Sequence, residues 1–160
     1  MIAHPPCTHL ACSGAVWFPA KIADGRQAAA IAFFMQMALA PIPHICVENP
    51  VCIMSTAYKP PTQIIHPWQF GHSTMKTTCL WLKGLRKLRP TNIVDRGNVI
   101  THESGKRSSQ WSMDTFKLPK SERWKVRSKT FQGIADAMAD QWGSPEGLIP
   151  HYAQAQMDLA

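Results

Sequence analysis

From Asp24 to Leu39 the residues Ala28, Ile31, Phe34 or Met35 and Ala38 recur at helical spacing, with Asp24 placed to cap the helix and Pro41 to stop it. What flanks this segment constrains the fold further. Met1 to His4 reads as the end of a buried strand, closed by Pro5 and Pro6 because neither can donate to a ladder. Ile42 to Val47 is a short β-branched run after a proline turn, and reads as a second buried strand feeding Glu48. Strand, helix and strand with short connections predict a parallel βαβ unit.

Later segments are less regular. Cys52 to Tyr58 holds one weak helical turn, Lys59-Pro60-Pro61 is a breaker, Gln63 to Phe70 holds a strand despite Pro67, and Thr77 to Leu82 reads as a better strand. Together these strands form the antiparallel end of an otherwise parallel sheet. Thr91 to Lys129 has no sustained period and is rich in Ser, Lys and Arg, so it reads as an extended basic excursion. Ile134 to Trp142 returns to helical spacing, and Gly143 with Pro145 ends it. Residues 144–160 read as a peripheral tail.

With 160 residues the chain is long enough for one domain with a real core. Its formal charge of +7 favours a polyanionic partner. The basic residues concentrate between Lys76 and Lys129, which makes that stretch the nucleic-acid candidate, with a solvated basic loop as the alternative. The odd set Cys7, Cys12, Cys46, Cys52 and Cys79 has no framework spacing, and reduced thiols in the cytoplasm fit it best. No leader pattern starts the sequence, and the longest apolar segment, Ala28 to Ala40, is too short for a bilayer.

Two motifs stand just past the two βαβ strands: His4-Pro5-Pro6-Cys7-Thr8-His9-Leu10 and Ile45-Cys46-Val47-Glu48-Asn49-Pro50. Open α/β sheets place ligands at such strand ends, so Cys7 and Glu48 can converge on one molecule. With Pro67-Trp68-Gln69-Phe70-Gly71-His72, Lys76-Thr77-Thr78-Cys79-Leu80-Trp81-Leu82 and Gly133-Ile134-Ala135-Asp136-Ala137-Met138-Ala139, these segments resemble compact phage and prophage proteins classed as cytosine-5 DNA methyltransferases. The similarity runs from Met1 to about Trp142.

The resemblance implies a partial Rossmann-like α/β methyltransferase fold over residues 1–143, with a mostly parallel sheet, an antiparallel end and flanking helices. Cytosine is too electron-poor at carbon 5 to be methylated directly, so a nucleophile must first add at carbon 6. Cysteine suits that task as a strong nucleophile and a tolerable leaving group. Cys7 is then the nucleophile, and Glu48 the acid that holds a proton at ring nitrogen 3. Pro6, Thr8 and Asn49 are pocket residues, and Lys76 takes the place of a Gln-x-Arg-x-Arg strand. Gly133 begins the closing helix beneath the cofactor, S-adenosylmethionine, while Arg123, Lys125, Arg127 and Lys129 are phosphate contacts to DNA. Pro50 replaces the usual valine after Glu-Asn, a single Lys76 does not reproduce the arginine pair, and Ile134 stands where larger relatives carry asparagine. A whole enzyme of this kind also needs a strand and a glycine-rich turn for the cofactor, which do not precede Met1. The chain is therefore expected to bind S-adenosylmethionine poorly by itself, to expose the Met1 strand as a sheet edge, and to need a partner half or to self-associate there.

Three competing readings separate on simple features. Adenine amino-methyltransferases use Asp/Asn-Pro-Pro-Tyr/Phe, whose prolines His4-Pro5-Pro6-Cys7 shares without the polar lead or the aromatic. The run of His4, Cys7, His9 and Cys12 has ligand-type residues but no second pair to close a zinc site, and no His-x-Glu precedes a Pro-Cys-x-x-Cys segment as a zinc deaminase requires. In a non-catalytic nucleic-acid-binding remnant, Trp111, Phe116 and Trp124 would be stacking platforms, where the plainer reading makes them anchors of a long loop.

Overall fold

The computed structural model describes residues 1–105 and 107–149, so Lys106 and residues 150–160 of the expected tail lie outside the described residues. The chain is mixed α/β. It divides into two compact units: Met1–Ile65 with Thr77–Lys87 and the segment from Ser144, and His66–Lys76 with Leu88–Gly143.

The first unit is built on four strands. β1 (Ile2–Ala3) pairs in parallel with β2 (Ile45–Asn49), with Ile2 opposite Cys46 and Ala3 opposite Val47. β3 is Gln63–Ile65 and β4 is Thr78–Lys83. β4 lies antiparallel to both β2 and β3, which gives the order β1-β2-β4-β3. The sheet is thus mixed, with one parallel and two antiparallel pairings, and this corrects the expectation of a mostly parallel one. The reason lies in β4: every residue from Thr78 to Leu82 is buried, so it takes a central place, and its reversed entry between β2 and β3 makes both its pairings antiparallel.

Between the parallel strands come a 3-10 segment, Cys12–Trp17, and two helices, α1 (Phe18–Ala23) and α2 (Arg26–Ala38). The N-cap of α2 is Gly25 at φ 80°, a left-handed conformation that suits glycine, in place of the expected Asp24. Asp24 supports the same turn by accepting from the Arg26 N–H at 3.1 Å. The buried stripe runs through Gln27, Phe34 and Ala38, with Ile31 half-buried and Ala28 exposed. Phe34 meets Trp81 edge to face at 5.1 Å between ring centroids, in a core with Leu10, Ile45, Val47, Cys52, Met54 and Cys79. Burial of such a ring contributes roughly 1.5–3 kcal/mol. α3 (Met54–Ala57) is the single turn expected there.

Residues 144–149 are less peripheral than expected. Arg86 donates its N–H to the Gly147 carbonyl at 2.9 Å, and Ile149 donates to the Gly84 carbonyl at 2.8 Å.

In the second unit, residues 91–129, read from sequence as an extended basic excursion without a sustained period, contain regular elements. They fold into a hairpin, β5 (Val99–Thr101) with β6 (Arg107–Ser109), and two helices, α4 (Gln110–Phe116) and α5 (Lys120–Ser128). Helix ends explain what periodicity conceals. The Ser109 hydroxyl accepts from the Ser112 N–H at 3.3 Å and caps α4. α5 carries Glu122 in its first turn and Lys125 and Arg127 in its last, which complements its dipole. α6 (Gln132–Trp142) buries Ile134, Ala137 and Met138. Among the described residues no helix is long and apolar enough to cross a membrane.

Candidate functional site

The Pro-Cys and Glu-Asn motifs both lie in the first unit, at the carboxyl ends of β1 and β2. Continuing the parallel register past Ala3 and Val47 sets His4 beside Glu48. His4 Nδ1 lies 2.8 Å from Glu48 Oε2, so an imidazole protonated at Nδ1 donates to the carboxylate. The Glu48 side chain retains 20% of its exposure. Side chains alternate along a strand, so Glu48 shares its face with Cys46, while Val47 and Asn49 face the α2 side. Asn49 is 1% exposed, and its amide donates to the Pro5 carbonyl at 2.9 Å and to the Glu48 carbonyl at 3.1 Å.

The loop that carries Cys7 is held along its backbone. Cys7 accepts at its carbonyl from Leu10 N–H (3.0 Å) and Ala11 N–H (2.8 Å), and Leu10 accepts from Ile53 N–H (3.1 Å). Two buried side chains complete the set: Lys21 Nζ donates to the Thr8 carbonyl at 2.7 Å, and Gln27 Nε2 to the His9 carbonyl at 3.2 Å. Every carbonyl from Cys7 to Leu10 therefore has a donor. Cys7 itself is half-buried, and Pro6 and Thr8 are exposed. A fixed loop spends no binding energy on ordering itself around a ligand.

The remaining thiols belong to the interior. Burial, reinforced by the charge of Glu48, pushes Cys46 up to about 12, and burial raises Cys52 and Cys79 to about 11. These three are poor thiolates near neutral pH. Among the described residues no group of three or more His, Cys, Asp or Glu side chains is arranged to hold a metal ion. A cleft of about 260 Å³ opens at the other end of β2, between Tyr58, Lys59, Trp81 and Lys83, away from Cys7 and Glu48.

The other expected site residues belong to the second unit. Lys76 Nζ donates to the Arg127 carbonyl at 2.9 Å and sits 5.6 Å from the ring centres of both Trp111 and Phe131. Arg127 donates to the hydroxyls of Ser112 (3.2 Å) and Thr115 (2.9 Å), and Arg123 to the carbonyls of Phe116 (2.6 Å) and Leu118 (3.0 Å). Both arginines thus brace α4 against α5. Lys125 pairs with Glu122 at 3.0 Å, and Lys129 is exposed.

Gly133 is the second residue of α6. Its N–H donates to His72 Nε2 at 3.0 Å, and a Cβ there would stand 1.9 Å from the Phe70 carbonyl oxygen. The Phe70 backbone thus packs closely against this glycine.

The pairing of His4 with Glu48, and the parts played by Lys21 and Gln27, were not foreseen from the sequence. The β1–β2 register was the signal for His4; a lysine and a glutamine on the inward side of helices give no comparable sign. No protein-family model, curated protein or solved structure matches the chain.

Proposed function

We propose that this chain carries the base-activating part of a cytosine-5 DNA methyltransferase-like protein, with Cys7 as nucleophile and Glu48 as proton donor. The observation that carries the reading is the clasp between the two motifs, Asn49 on the Pro5 carbonyl and His4 on Glu48, at the ends of two adjacent parallel strands. Strand ends of an α/β sheet are where a ligand is held, and this clasp fixes the approach of one motif to the other. Five cysteines outside any disulfide also suit the cytoplasm.

The Cys7 thiolate adds to carbon 6 of an unpaired cytosine, and the electron pair of the 5,6 double bond shifts toward nitrogen 3, where the Glu48 carboxyl supplies a proton. The resulting enamine is nucleophilic at carbon 5. Without a methyl donor it takes a proton from water there. Loss of a proton from carbon 5, return of the nitrogen 3 proton to the Glu48 carboxylate and expulsion of the thiolate then restore cytosine. In the full reaction S-adenosylmethionine would supply the methyl group to carbon 5. A partner half would add a strand at the exposed edge of β1, where Ile2 is 46% exposed.

The test needs no donor. Single-stranded DNA containing cytosine is incubated with the protein in heavy water, and deuterium at carbon 5 is measured by mass spectrometry. Exchange should occur with the native chain, fall to background with Cys7→Ala, and slow with Glu48→Gln. Exchange that persists in Cys7→Ala, or none with the native chain on bound DNA, would overturn the reading.

A further inference from the structure

Three aromatic residues of α4 and α5, Trp111, Phe116 and Trp124, sit among basic side chains, and the fold treats them differently. Trp111 is half-buried, its ring 5.5 Å from Phe131 and flanked by Lys76 and Arg127. It anchors the segment. Trp124 is 63% exposed and Phe116 is 53% exposed.

The surroundings of Trp124 indicate what it meets. One helical turn away lie Lys120 and Ser121 on one side and Arg127 and Ser128 on the other, so the indole has polar and cationic neighbours. Val126, also exposed, points roughly 200° around the helix. There is thus no apolar stripe of the kind that a protein groove or a bilayer takes up. Phe116 is framed by Arg123 and Arg127, whose guanidinium carbons lie 5.2 and 5.0 Å from its ring centre. Hydrogen bonds to the carbonyls of Phe116 and Leu118 and the hydroxyls of Ser112 and Thr115 hold both groups in place. Their positive charge is present without any ordering on binding.

We propose that α5 and the adjoining end of α4 form a binding surface for single-stranded nucleic acid, with an unpaired base stacked on Trp124 and the phosphates running past Lys120 and Lys129. An exposed indole among cations offers a face to a base and charge to a backbone, and base faces are accessible only where a strand is unpaired. The chain's net charge of +7 favours the same partner. This inference shares with the preceding reading only its choice of nucleic acid, and it needs no reaction at Cys7.

Binding of a short fluorescein-labelled oligothymidylate is measured by anisotropy, beside a duplex of equal length and vesicles of anionic phospholipid. Trp124→Ala should weaken single-strand binding about tenfold. Trp124→Phe should keep most of it, and Trp17→Ala, which removes an equally exposed indole from the other unit, should change nothing. Cys7→Ala should bind as the native chain does, so a failure of the base chemistry leaves this result standing. Circular dichroism checks that the variants remain folded. The proposal is overturned if Trp124→Ala binds like the native chain, if Trp124→Phe is as weak as Trp124→Ala, or if duplex or vesicles bind as tightly as the single strand.

Discussion

Asn49 donates its side-chain amide to the carbonyl oxygen of Pro5 across 2.9 Å, a buried bond between residues 44 positions apart. The same amide reaches the carbonyl of Glu48. Two acceptors therefore share one donor group. Asn49→Asp would set a carboxylate, which only accepts, against both carbonyls, and should cost about 3 kcal/mol or more. Asn49→Ala should cost about 1–3 kcal/mol. Urea unfolding checks the order; an aspartate variant as stable as the native chain would refute the clasp.

The contact between His4 and Glu48 is more open, with 42% of the imidazole side chain exposed. Such pairs contribute under about 1 kcal/mol, so His4→Ala should barely move the unfolding midpoint. It should nevertheless slow deuterium exchange at cytosine carbon 5 at least about tenfold, a part of the roughly 10²–10⁴ that a positioned proton donor supplies. His4→Gln, which keeps a donor for the carboxylate, should recover some of that rate. A stability loss with an unchanged exchange rate would make His4 a structural residue only.

Much of the first unit was legible because its signals are local. The helix expected from Asp24 to Leu39 folds as Arg26–Ala38, its start displaced by a glycine that takes the capping position. The strand expected over Ile42 to Val47 folds as Ile45–Asn49. Pro43 has no N–H to donate, and pairing with β4 extends to Asn49 opposite Cys79, which draws Glu48 and Asn49 into the ladder. The second unit was opaque for the opposite reason. α5 buries none of its residues, so no apolar period marks it, and the bonds that brace α4 and α5 come from Arg123 and Arg127, which read in sequence as phosphate contacts. In the sheet, β4 runs antiparallel as expected, but its apolar pattern on both faces did not show that it would stand between β2 and β3.

The buried thiols make stability depend on alkaline pH. Cys46 is raised from an ordinary 9.0 to about 12, and Cys52 and Cys79 to about 11, chiefly by burial. The folded chain holds these protons more tightly than the unfolded chain. Their contribution is complete below pH 9 and is lost as pH rises through 9 toward 11 to 12, by up to about 1.4 kcal/mol per pH unit for each thiol. Cys46→Ala should flatten this fall, whatever it does to stability at pH 7. Thermal melts at intervals from pH 8 to 11 compare the slopes, and equal slopes would contradict the assignment.

Gly133 occupies the second position of α6, where alanine would ordinarily gain up to about 1 kcal/mol. Here the sign should reverse. A Cβ would stand 1.9 Å from the Phe70 carbonyl oxygen, which is backbone and cannot rotate away as a side chain would. To relieve the clash, α6 must shift, and the bond from the Gly133 N–H to His72 Nε2 stretches with it. His72 lies against Phe131, ring centres 5.2 Å apart, so the displacement reaches the aromatic stack beneath Lys76. Overpacking of this kind costs about 1–3 kcal/mol. Gly133→Ala should therefore lower the melting temperature and expose amides of α6 to hydrogen exchange, while Gly105→Ala, whose Cβ meets nothing within 4 Å, should cost only the strain of its φ of 75°. If Gly133→Ala melts at or above the native temperature, the close approach to Phe70 is not what requires glycine there.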